Sequence, residues 1–284
     1  MAQWSRPVAI PNQTSKTSSA LALIQGQLHL IHLGQSSDEL WHSTWNGTKW
    51  SDNVKINKQS RGRVALAGEG LLVYQSRSPQ PDGSYGLVHS LFQGGWSQSR
   101  PLPGTHPITD PMTTSDSPAA VLTFGTWTVV RQVPHQDYMM GVSSYRPGFS
   151  GSVELIDTGV ARELSEGVPA LAADASGMHM IYLNKGSNDI WHSGPFGVAR
   201  AVPNQFSKDS PAAAFHNGEL HMVHLGSGSD NIWHSKFLNG AWTPNVRIPD
   251  HASNKPPAMA SAPDGLHMVH KGAGSDRIWH SIYR

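Results

Sequence analysis

Short runs of alternating apolar and polar residues fill the chain, and Gly, Pro, Asn, Asp or Ser breaks each run after a few positions. Residues 210–249 show the plan most clearly. SPAAAF is a small-residue strand, HNG a turn, ELHMVHLG a second strand and GSGSD a hairpin. NIWHSKF is a third strand, LNG a turn, and AWTPNVRIP a fourth, edge-like strand that accommodates Pro. No 11-residue window shows a convincing helical period, so the pattern predicts an all-β protein.

The same plan recurs along the chain. Third strands align on His42, His89, His192, His234 and His280, each followed by Ser, and the preceding strands align on His29, His179, His221 and His267. Neighbouring copies lie 42 to 47 residues apart, and the 150 residues from His42 to His192 leave room for a degenerate copy around Ser143 and Ser144. Six copies of four strands each match the arithmetic of propeller blades. The expected fold is therefore a six-bladed β-propeller of four-stranded antiparallel blades, forming one domain over residues 1–284. The last copy stops at WHSIYR, after its third strand, and QWSRPVAIP at the N-terminus supplies the missing fourth. Closure by that strand predicts blades near 11–56, 57–103, 104–158, 159–204 and 205–250, with 251–284 plus 1–10 forming the sixth.

Composition narrows the partners. Lys plus Arg (21) nearly balance Asp plus Glu (20), and no basic run appears, which argues against nucleic acid as a partner. Cysteine is absent, so no disulfide or thiolate site is available, and no apolar run is long enough for membrane insertion. MAQWSRPVAI lacks the order of a secretory leader, which predicts cytoplasmic synthesis with release by lysis or a leaderless route.

Two Trp series accompany the repeats. Trp4, Trp50, Trp96 and Trp242 open fourth strands and are expected to wedge blade against blade. Trp41, Trp191, Trp233 and Trp279 sit in third strands beside His or another polar residue at fixed offsets. The resulting candidate ligand sets are His32, Trp41 and His42; Tyr182, Trp191 and His192; His224, Trp233 and His234; and His270, Trp279 and His280. An aromatic face flanked by imidazoles suits a neutral sugar, whose ring offers apolar C–H patches and rim hydroxyls. The competing expectation is that these His are buried and bonded to backbone carbonyls.

Asp38, Asn188, Asp230 and Asp276 align just before the third strands and read as Asx turns. Aligned His fall one per blade, and His224 with His234 brings no third ligand, so no metal and no cofactor is expected. No nucleophile elbow, P-loop or metalloprotease motif appears, and no Glu or Arg recurs across the repeats. An enzyme would be expected to use aperiodic blade 3, with His106, Asp110, Asp116, Arg131, His135, Asp137, Tyr138, Arg146 and Glu154.

The order small-residue strand, NGELHMVHLG, SDNIWHS, NGAWTPNVRIP resembles the repeats of fucose-binding β-propeller lectins of fungi and insect-associated bacteria, over essentially the whole chain. The resemblance implies monosaccharide sites in clefts between adjacent blades, stacking by Trp or Tyr, and multivalent binding or agglutination. Glycans or glycoconjugates are the implied partners, fucose-like or galactose-type, and the disc is compatible with a homo-oligomer. Val88 replaces Trp in blade 2, and DYMMGVSSY in blade 3 has neither Trp nor His, so about four of the six clefts are expected to be competent. A protein-interaction propeller and a glycosidase or lyase are the alternative functions.

Overall fold

Six antiparallel sheets follow one another along the chain in the computed structural model, which describes residues 2–80, 83–104, 113–114, 117–134, 139–148, 152–195 and 199–284. Blade 1 pairs Ala20–Ile24, Gln27–Leu33, Glu39–Trp45 and Val54–Gln59 in that order. Blade 2 is built on Ala65–Ala67, Leu71–Pro79 and Tyr85–Leu91, with Arg100–Pro101 and Thr113–Thr114 both pairing with the last of these. Blade 3 pairs Ala119–Thr123, Thr126–Gln132, Met139–Pro147 and Val153–Leu164. Blade 4 pairs Ala170–Asp174, Gly177–Leu183, Asp189–Ser193 and Arg200–Phe206. Blade 5 pairs Ala212–His216, Glu219–Leu225 and Asn231–Leu238, and its outer edge is divided between Ala241–Trp242 and Val246–Ala252.

Blade 6 joins the two ends of the chain. Ala258–Ala262, Gly265–Lys271 and Arg277–Tyr283 are completed by Val8–Thr14, with Val8 opposite His280 and Ala9 opposite Trp279. The N-terminal strand thus closes a six-bladed β-propeller, as the broken last repeat predicts, and pairs the outer edge of the sixth sheet's third strand.

Every inner strand begins with Ala: Ala20, Ala65, Ala119, Ala170, Ala212 and Ala258. Six strands converge on the propeller axis, where small side chains allow close approach, and all six of these residues line the central channel. Larger apolar residues fill the widening space between blades. Ile24, Ile31 and Leu33 of blade 1, for example, pack with Leu72 and Tyr74 of blade 2.

The outer strands carry a repeated bulge. Asn12, Asn57, Asn204 and Asp250 have φ of 57°, 53°, 57° and 62°, and the pairing register slips around each. Asn and Asp tolerate this left-handed region better than most residues. The bulge turns the next side chain inward, so Gln13, Lys58, Gln205 and His251 are buried at 1%, 7%, 2% and 2% exposure.

Candidate functional site

The third strand of each blade distributes its side chains to two faces, and this sets the geometry of the clefts. In blade 1, Trp41 lies opposite His32 and His42 opposite Ile31. Trp41 faces blade 6 and lines a cleft of about 970 Å³ between blades 6 and 1, together with His32, Asn53, Trp45, Trp50 and His280. His42 faces the other way, 4.9 Å ring to ring from His29 and 5.6 Å from Trp96 of blade 2. The residues of one Trp-His-Ser motif therefore do not meet in one cleft. Trp41 shares its cleft with His280 of the preceding blade, and His224 and His234, on alternating positions of neighbouring strands, do not converge.

In four blades the second-strand His and the third-strand His form a staple within the blade. His29 Nδ1 and His42 Nε2 are 2.9 Å apart; the matching distances are 2.9 Å for His179–His192, 3.0 Å for His221–His234 and 2.8 Å for His267–His280. The next blade lays two aromatics on each pair: Phe92 and Trp96, Phe237 and Trp242, Tyr283 and Trp4, and Trp45 and Trp50. The wedge expected of Trp4, Trp50, Trp96 and Trp242 is thus an edge-on contact with the preceding blade's His.

Protonation in these staples follows from donor chemistry. Trp96 Nε1 donates to His42 Nδ1 at 3.4 Å, so His42 Nε2 carries the proton and donates to His29. Trp242 and His192 repeat the order at 3.3 Å. In blade 6 the chain ends on a carboxylate, where His267 Nε2 donates to Asp264 at 2.9 Å and Trp45 Nε1 does so at 3.1 Å. Burial lowers the pKa of His29, His42 and His192 to about 4 and of His234 and His280 to about 3, so these rings are neutral near pH 7.

The cleft-facing His are held differently. His32 Nδ1 donates to the Leu33 carbonyl at 3.0 Å, and the Asn53 side-chain amide lies 3.2 Å from Nε2. With Nδ1 committed as donor, Nε2 accepts, and Asn53 must turn its N–H toward it. His224 repeats this with Leu225 at 2.8 Å and Asn245 at 3.2 Å. His270 bonds the Lys271 carbonyl at 3.3 Å, but the first-repeat Asn is replaced by Pro7 on its edge strand. The buried, carbonyl-bonded expectation thus describes His32, His224 and His270, at 1%, 0% and 3% exposure.

The Trp faces remain half-buried. A Cβ added at Gly34, Gly226 or Gly272 would come within 3.0, 3.0 and 2.8 Å of Nε1 of Trp41, Trp233 and Trp279, so these glycines seat the indoles against the hairpin. Asn184 occupies that place in blade 4. There Trp191 packs with Tyr182, itself 2% exposed, against Val130 and Met140 of blade 3.

The Asx-turn expectation is corrected. Ser37 and Ser187 accept from the backbone N–H of Glu39 and Asp189 in the hairpins. The aligned carboxylates instead form ion pairs, Asp38 with Lys16, Asp230 with Lys208, and Asp276 with Lys271 at 2.7 Å. Asp276 also accepts from Gln35 of blade 1, stitching blades 6 and 1 at the cleft rim. In blade 3, Arg146 and Glu154 form an exposed ion pair at 3.0 Å, whereas His106, Asp110, Asp116, His135, Asp137 and Tyr138 lie outside the described residues.

The outer-strand wedge residues were not singled out by sequence reasoning. Gln13 donates to Ser43 at 2.9 Å and Gln205 accepts from Ser235 at 2.8 Å, both across a blade boundary. Recurrence of Pro-Asn-Gln at 11–13 and 203–205 is the signal that marks them.

Fold and clefts together define a six-bladed propeller whose interblade surfaces repeat one aromatic and imidazole pattern. No protein-family model matches the chain, and no curated protein matches it. Among solved structures it is similar to a mutant of the Aleuria aurantia lectin in complex with Fucα1-6GlcNAc, with TM-score 0.66 and 12% identity over 94% of this chain and 93% of that one. Another structure of that lectin, described as a six-bladed β-propeller with a novel fucose recognition mode, gives 0.64 and 13% over 94% and 91%. A Trypanosoma rangeli sialidase in complex with the inhibitor DANA gives 0.64 and 12%, covering 95% of this chain but 55% of the sialidase. The chain thus spans about half the length of that sialidase, and at these identities the likeness is one of fold.

Proposed function

We propose that the protein is a multivalent lectin whose sites are the clefts between blades 6 and 1, 4 and 5, and 5 and 6. The carrying observation is the Trp41 cleft, where an indole face stands among neutral imidazole, amide and hydroxyl groups. A neutral sugar ring can stack on the indole while its hydroxyls meet the polar rim. Trp233 and Trp279 recur with the same glycine seat under the indole, whereas Trp191 packs against Met140, so three sites are proposed rather than four. The solved neighbours are consistent with a glycan partner, because one binds a fucosylated sugar and another a sialidase inhibitor. They represent both a lectin and an enzyme, so the repetition of the cleft, and not the fold, favours binding over catalysis.

Repetition suits weak sites. A single open cleft of millimolar Kd supplies about −4 kcal/mol. Several on one rigid disc gain about 10² to 10⁴ against a glycan-dense surface. A glycan array with the parent and Trp41→Ala, each checked for thermal unfolding, tests the reading. Binding to a defined terminal sugar that weakens in a folded variant supports it; no binding by the folded parent contradicts it.

A further inference from the structure

His251 and His270 meet between blades 5 and 6 with ring centroids 5.6 Å apart and planes at 50°. Both are nearly buried, at 2% and 3% exposure. Each is anchored through Nδ1 to a main-chain carbonyl, His251 to Pro249 at 2.6 Å and His270 to Lys271 at 3.3 Å. A carbonyl only accepts, so both Nδ1 atoms carry the proton and both Nε2 atoms are bare lone pairs. Among the described residues neither Nε2 has a partner, and neither does Ser281 Oγ, two residues beyond the Trp279 that pairs with His270.

The other clefts show what has changed. Between blades 6 and 1, Gln13 bonds Ser43 and Asn53 bonds His32; between blades 4 and 5, Gln205 bonds Ser235 and Asn245 bonds His224. In the remaining cleft the Gln position holds His251 and the Asn position holds Pro7. Two substitutions have removed both protein partners and set a second imidazole beside the first. An unanswered buried acceptor costs about 1–3 kcal/mol, so two together call for an electrophile or donor between them.

We propose that His251 and His270 form a two-imidazole site for a late first-row transition ion of the nickel, copper and zinc group, with Ser281 beside it. With both Nε2 atoms turned to a shared ion at about 2.0–2.1 Å, the ion would lie about 3.2 Å from each ring centroid, and centroids 5.6 Å apart would then subtend about 120° at it. That angle suits trigonal or tetrahedral coordination. Anchoring of Nδ1 on a carbonyl is the outer-shell arrangement that fixes a ligating His in its tautomer. Imidazole suits this group of metals, and the missing ligands are water or an exogenous anion, which makes the site weaker than a closed four-ligand one. His251 belongs to none of the aligned His series, so counting one His per blade overlooks it.

The test is calorimetry and electron paramagnetic resonance on untagged, EDTA-stripped protein titrated with Cu²⁺, the strongest binder of the group. The expected result is one equivalent per chain with hyperfine coupling to two imidazole nitrogens. His251→Gln, which installs the residue found at Gln13 and Gln205, is expected to stay folded and bind about tenfold more weakly or worse. His216→Ala, at a partly exposed His elsewhere, is expected to leave binding unchanged. Absence of saturable Cu²⁺, Ni²⁺ or Zn²⁺ binding overturns the proposal and assigns the two lone pairs to a buried water. Saturable binding that survives His251→Gln overturns it equally.

Discussion

Trp41 and His42 are neighbours in the chain and face different clefts: Trp41 lines the one toward blade 6, and His42 meets Trp96 of blade 2 edge-on at 5.6 Å. The motif is thus a two-sided joint. Its Trp offers a surface and its His seals the next boundary. Substitutions on the two sides should separate binding from stability.

Trp242 illustrates the sealing side. It contacts His192 and Phe237 and donates its indole proton across the boundary. Trp242→Ala is expected to lower unfolding free energy by about 2 kcal/mol, less than for a fully buried Trp because the ring is half-buried. Urea denaturation measures this.

Gly226 illustrates the side proposed to bind. An added methyl would meet Ser229 Oγ at 2.6 Å and Trp233 Nε1 at 3.0 Å, so Gly226→Ala must displace the indole or the serine. The expected outcome is a stability loss of about 1 kcal/mol or less together with weaker glycan avidity, read by denaturation and by surface binding on one preparation.

Asn53 holds its place by answering His32 Nε2. Asn53→Leu leaves that lone pair buried and is expected to cost about 1–2 kcal/mol, whereas Asn53→Gln, which can still donate, is expected to cost less. Thermal unfolding of the two variants side by side checks the order.

Acid should loosen the ring of blades. In the unfolded chain the His protonate near 6.5, whereas burial delays His29, His42 and His192 to about 4 and His234 and His280 to about 3. The unfolded state therefore binds more protons between pH 6.5 and 4, and stability, complete above 6.5, falls as pH drops through that window. With several rings titrating together, the slope is expected to exceed about 1.4 kcal/mol per pH unit. Urea midpoints at pH 7, 6 and 5 measure it, and a flat profile would contradict the neutral staples.

Much of this was legible in the residues. The period-two runs, the His-Ser spacing and the broken final repeat predict the blades and their closure, because each blade is a local unit and repeats at nearly fixed length. The initial Ala of each inner strand is visible too, though its reason, convergence on an axis, is not. The division of Trp41 from His42 follows from strand alternation, and the constant 13-residue spacing of His29–His42, His179–His192, His221–His234 and His267–His280 marks the stacked pairs. The pairing of His251 with His270, and of Asp276 with Gln35, was not legible, because each joins residues of different blades, and the repeat aligns positions along the chain without showing which side chains meet across a boundary.

The number of sugar molecules bound per chain, measured by titration calorimetry with the best monosaccharide from the array, tests the account most directly. Three sites in the parent, falling to two in Trp41→Ala and again to two in Trp233→Ala, is the predicted result. A single site that survives both substitutions would contradict it, and would place binding outside the repeated clefts.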